Sequence, residues 1–205
     1  MPRVDAVLQR CFLTVALLLA VVEFADADQS SAAVGDVGDF IGTMGNQALE
    51  MIRSNRTLSE KLAYFRQLLR QDFDLVAISQ FLLGPYWRVA SEAEREEFQD
   101  VLVDYLVRAS GERLAGLNAE SLKVTGARAE PATATVTSQL IQSGGGSPVQ
   151  LVWRLDVRGG RYRIIDISID GESYALSERE ILARLIQRHG GQISGLLEAM
   201  RAGES

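Results

Sequence analysis

The sequence predicts an α+β protein: helices, then an antiparallel meander with one face covered, then helices again. Three observations carry that prediction. Apolar residues recur at helical spacing through 28–120, the pattern turns to period two through 121–174 between glycine-rich turns, and helical spacing returns in 175–201.

The N-terminus stands outside that plan. Arg3 and Arg10 precede an apolar run, CFLTVALLLAVV, and Ala25 and Ala27 follow with the spacing a signal peptidase accepts. The run is too short to span a bilayer as a mature helix. Residues 1–27 are therefore expected to be a signal peptide cleaved near Ala27, with a retained anchor as the rival. Cys11 precedes the run, so it forms no lipobox. It is also the only cysteine, which leaves the mature chain without disulfides or thiolate metal sites. Residues 28–201 suffice for one domain, followed by a tail at 202–205. The net charge is −6. Residues 1–27 hold Arg3 and Arg10 against Asp5, Glu23 and Asp26, so −5 remains for the rest. That balance argues against nucleic acid, and against an anionic membrane bound through bulk charge.

The first helical set is Phe40, Ile41, Met44, Ala48, Met51 and Ile52; the second is Leu58, Leu62, Phe65, Leu68, Leu69 and Phe73. The run DLVAISQFLL is apolar on most sides, as a buried helix requires. Gly84 is expected to end it and Pro85 to block its continuation. Ser91 with Glu94 makes a capping box for a helix bearing Phe98, Val101, Leu102, Tyr105 and Leu106. Three or four strands follow. Ala134, Val136 and Leu140 point inward from one. Val149, Leu151, Trp153, Leu155 and Val157 share a face of the next. SGGGSP and RGG make the turns. RYRIIDISID breaks alternation, because Ile164 and Ile165 are adjacent. Of the last two helices, one is expected to be capped by Ser177 with Glu180. The other carries Ile193, Leu196, Leu197 and Met200.

Reactive constellations are scarce. His189 is the single histidine and sits where a helix ends at Gly190-Gly191, a place that suits an imidazole beside the helix dipole without any catalytic role. One histidine and no mature cysteine exclude the usual zinc sets, and exclude a His-activated nucleophile unless His189 reaches a serine. SGGGS lacks the Lys-Ser/Thr of a phosphate loop and joins two strands. Tyr162 and Asp166, four apart on one strand, make one acid–base candidate inside an apolar cavity; hydrogen bonding of Asp166 to backbone is the structural alternative. Arg154, Arg158, Arg161 and Arg163 gather about a hairpin tip, as a solvated turn or as a site for an acidic partner.

FDLVAISQFLLGPYWR resembles the signature of the MlaC family, the periplasmic phospholipid-binding proteins also called toluene-tolerance auxiliary components. The matching positions are Phe73, Asp74, Ile78, Leu83, Gly84, Trp87 and Arg88, followed by Ser91 and Phe98. YRIIDISIDGESYALSEREI is similar to the family's late strand-to-turn element through Asp166, Gly171, Ser173 and Arg179, and HGGQISGLLEAM to its closing turn and helix. The order holds from about residue 35 to 200. Glu172 departs from the aliphatic residue common there, and Tyr174 adds bulk beside it, so the ligand expected here extends to a hopanoid or other isoprenoid.

The resemblance implies a curved antiparallel sheet of the nuclear-transport-factor-2-like kind with helices over it. It implies a periplasmic carrier that moves diacyl phospholipid between an outer-membrane lipoprotein complex and an inner-membrane ABC transporter complex. No cofactor, metal or catalysis is implied. The side chains expected to meet lipid are Phe65, Leu69, Phe73, Phe81, Tyr86, Trp87, Tyr105, Val136, Leu151, Trp153, Leu155 and Ile167. Tyr86 and Trp87 would stand at a mouth, where amphipathic rings suit a boundary between grease and water. Ordinary core packing competes with lipid contact for each. The rival functions are an acid–base enzyme on the same cone-like fold, using Tyr162 and Asp166, and an interaction module whose apolar face binds protein.

Overall fold

The computed structural model describes residues 36–115 and 117–204, so the expected signal peptide lies outside the described residues. Seven helices and five strands occupy them: α1 (36–53), α2 (Leu58–Asp72), α3 (Leu75–Leu83), α4 (Pro85–Val89), α5 (Glu92–Ala115), β1 (Ala119–Ala129), β2 (Thr133–Gln142), β3 (Val149–Arg158), β4 (Arg161–Ile169), β5 (Glu172–Ser173), α6 (Tyr174–Arg188) and α7 (Ile193–Ala202). The strands pair in chain order as an open, curved antiparallel sheet, one strand more than the upper sequence expectation.

Helix starts follow their side chains. The Thr57 and Ser91 hydroxyls accept from the amides of Glu60 and Glu94, whose carboxylates accept from the Thr57 and Ser91 amides in return. Asp74 caps α3 through the Ala77 amide at 2.9 Å. Three boundaries differ from expectation. Gly84 does end α3 at φ 53°, but Pro85 opens the short α4 instead of a bare elbow, because proline needs no amide partner at the first helical position. The cap of α6 is Ser173, which accepts from the Leu176 amide at 3.1 Å; the Ser177 hydroxyl donates to the Ser173 carbonyl from inside the helix. At the end of β4, Asp170-Gly171 takes positive φ at both residues, as a two-residue hairpin turn demands.

Two cores result. On the sheet's inner face, Val136, Trp153, Leu155 and Ile164 pack against Val37, Ile41 and Leu68. The indole N–H of Trp153 donates to the buried Ser138 hydroxyl at 2.8 Å. The other core is helical, formed by α3, α5, α6 and α7 around Leu83, Phe98, Leu102, Leu182 and Leu196. Helix α2 stands between them. Leu68 belongs to the sheet core and Leu69 to the helical one, while Phe73 packs against both.

The adjacent isoleucines of β4 have a structural cause. Arg154 pairs with Asp166, yet the next residue, Leu155, pairs with Ile164, so Ile165 is the extra residue of a bulge. The bulge reverses which residues face inward along the strand.

Candidate functional site

An apolar hollow of about 280 Å³ opens where the two cores meet. Helix α2 contributes Phe65 and Leu69, followed by Phe73. Ile78 and Leu82 come from α3, Leu106 from α5, and Ile165, Ile167 and Ile169 from β4. The first turn of α6 adds Tyr174, Ala175 and Glu178. The bulge matters here, because it lets Ile165 join Ile167 and Ile169 on the hollow while Ile164 stays in the sheet core.

Two carboxylates reach this wall, and neither faces grease alone. Asp166 accepts from the Ser173 hydroxyl at 2.7 Å and from the Ala175 amide at 3.0 Å, tying β4 to the start of α6. Glu178, buried, accepts from the Tyr105 hydroxyl at 3.2 Å. A second apolar hollow of about 240 Å³ lies between the end of α1 and the start of α2, lined by Met51, Ile52, Leu58, Leu62 and Phe65 among others. Lys61 is the charged residue on its wall and donates to the Ile52 carbonyl at 2.6 Å.

Of the side chains singled out in the sequence, Phe65, Leu69, Phe73 and Ile167 converge on the larger hollow. Val136, Leu151, Trp153 and Leu155 lie on the same inner sheet face but are buried in the core beneath α1. Tyr105 is buried behind the wall and donates to Glu178, which lines the hollow. Phe81 is 40% exposed under the Arg179 guanidinium, 4.9 Å from its ring centroid. Tyr86 and Trp87 pack on the helical core, and Arg95 stacks over the Trp87 ring at 5.0 Å while donating to the Trp87 carbonyl. These aromatics fix α4 to its neighbours and do not line the hollow.

The motif residues also have a spatial logic. A Cβ at Gly84 would lie 2.9 Å from the Arg179 guanidinium, so the Leu-Gly element of α3 and the arginine of α6 touch. The Asp74 amide donates to the Ile164 carbonyl at 2.9 Å, joining the start of α3 to β4. The signature holds the walls together. Glu172 is exposed on β5, while Tyr174 stands on the wall.

The acid–base candidate does not assemble. The bulge at Ile165 turns Tyr162 toward α1, where its ring meets Phe40 at 5.9 Å between centroids, while Asp166 pairs beside Arg154 and is held by Ser173 and Ala175 at the start of α6. Burial, and the Asp36 carboxylate after it, pushes the Tyr162 phenol up. Residues four apart share a face only on an unbroken strand, and the bulge at Ile165 breaks this one.

Sequence reasoning left Ile78, Leu82, Leu106, Ile165, Ile169, Ala175 and Glu178 out of the expected lipid contacts. The adjacent isoleucines were the available signal, since two neighbouring apolar residues in a strand put one on each face unless a bulge intervenes.

Among the described residues no helix is long and apolar enough to cross a membrane. No curated protein matches the sequence. Seven chains of solved structures do. One is a phospholipid-binding protein from Ralstonia solanacearum, solved in complex with a phospholipid. It is 22% identical, with a TM-score of 0.64 over 85% of this chain and 96% of that one. The agreement extends the fold to that protein. A family model described as MlaC protein matches residues 43–202, the whole span that builds both hollows and the sheet. The chain belongs to the MlaC family.

Proposed function

We propose that this protein is a periplasmic lipid carrier. It binds the acyl chains of a diacyl phospholipid at the hollow between β4 and helices α2, α3 and α6. It then moves the lipid between an outer-membrane lipoprotein complex and an inner-membrane ABC transporter complex. The observation that carries this reading is the apolar hollow itself, walled by Phe65, Leu69, Phe73 and Ile167 in a chain of this family. Membership in the family and the phospholipid held by the Ralstonia solanacearum protein support the choice of ligand.

Physical balance suits a carrier that does no chemistry. Two chains of about sixteen carbons hold roughly thirty methylenes. At ~0.8 kcal/mol each, their removal from water is worth about 25 kcal/mol. A bilayer offers about the same. Exchange between membrane and carrier is then nearly level, and direction comes from the energy source of a partner. Solvent extraction of protein purified from the periplasm, followed by mass spectrometry, tests the reading. A diacyl lipid near one per chain is expected. Absence of any lipid would overturn it in favour of a protein-binding module, and an isoprenoid in its place would change the ligand class.

A further inference from the structure

Phe65 belongs to both hollows, and it is the one side chain the two walls share. It sits midway along a stripe of α2 that reads Leu58, Leu62, Phe65, Leu69 and then Phe73, spaced so that all point to one side of the helix. The first two line the smaller hollow and the last two the larger one. The ring packs against the helical core but is only partly buried, with a hollow on either side of it.

Size shows why this position matters. A cavity of about 150 Å³ takes a benzene ring, so hollows of 240 and 280 Å³ each take about ten carbons. A membrane acyl chain of roughly fourteen to sixteen carbons fits neither alone. From Leu58 to Leu69 the stripe runs about 16 Å at ~1.5 Å per residue. One leaflet of hydrocarbon is about 15 Å deep. The stripe therefore has the length of a whole chain, and the Phe65 ring lies across it.

We propose that Phe65 is a movable partition that sets which chain lengths the protein accepts. This rests on the lipid-carrier reading and specifies the ligand of that site. A short chain fills one hollow without disturbing the ring. A longer chain passes along α2 only when the ring turns aside, joining the two hollows into one groove.

The test measures affinity for single-chain lysophospholipids of one head group and graded length, on delipidated wild type and on Phe65→Leu, Phe65→Ala and Phe65→Trp. Each added methylene should tighten binding about fourfold while it enters an open hollow. In the wild type the series should break at about ten carbons, with a shortfall of roughly threefold to tenfold as the ring leaves its rotamer. Phe65→Leu and Phe65→Ala should straighten the series, and Phe65→Trp should deepen the break. The Leu variant keeps the stripe apolar and guards against loss of fold. An unbroken wild-type series, or the same break in all four proteins, overturns the partition while leaving the carrier reading intact. A wild type that takes up no chain of any length overturns both.

Discussion

At the scale of a residue, Asp72 shows how a local cost is written into the fold. It ends α2 with a carboxylate where the helix dipole is negative, and it lies half-buried in a cleft between α1 and α2. Burial raises its pKa, and Arg163 opposes that only in part. A carboxyl whose folded pKa lies above its unfolded value lowers stability wherever both states are ionised. The penalty shrinks as pH falls through the folded pKa and vanishes below the unfolded one. Asp72→Asn should therefore raise the urea midpoint at neutral pH and leave it unchanged at about pH 3, below the ordinary aspartate value. A midpoint lowered at neutral pH would mean that the Arg163 attraction outweighs burial. A gap that persists in acid would place the effect outside ionisation altogether.

Among the elements, the start of α6 carries the wall of the larger hollow. Ser173 accepts from the Leu176 amide and donates to Asp166, so one hydroxyl both caps the helix and ties it to β4. Ser173→Ala should cost about 1–2 kcal/mol in urea denaturation. Ser177→Ala should stay within about 0.5 kcal/mol, because that hydroxyl is exposed and only donates to a carbonyl one turn back. Equal losses would restore Ser177 as the cap. The sequence misplaced this cap because Ser-x-x-Glu occurs at 177–180 with the right spacing, whereas Ser173, four residues earlier, is fixed by β5 and its pairing with Ser168. Elsewhere the periodicities were legible: the stripes of α2 and α5, the inner face of β3 and both glycine-rich hairpins follow directly from residue spacing. A bulge is not periodic, and so spacing alone puts Tyr162 and Asp166 on one face, whereas one turns toward α1 and the other is held at the start of α6. The hollow was legible only as a family expectation. A side chain bordering empty space and one packed in a core obey the same hydrophobic pattern, which is why Trp153 and Leu155 read the same as Leu69 and Ile167.

For the whole molecule, the net charge decides how the hollow is reached. The chain without residues 1–27 carries −5, and the arginines that offset its acids are partly held in surface pairs, such as Arg66 with Asp104 and Arg70 with Asp100. An anionic bilayer repels such a body over about 10 Å at ~0.1 M salt, and over ~30 Å at 0.01 M. If acyl-chain energies nearly cancel between carrier and membrane, the encounter is what sets the transfer rate, and repulsion slows it. Transfer of a fluorescent phospholipid from the loaded protein should therefore be slower to vesicles rich in anionic lipid than to neutral ones at low salt. Rates should converge as salt rises past a few tenths molar, where screening falls to a few ångströms. Equal rates at low salt would show that an uncharged face of the protein meets the membrane directly. A carrier of that kind would need no protein partner to deliver its lipid.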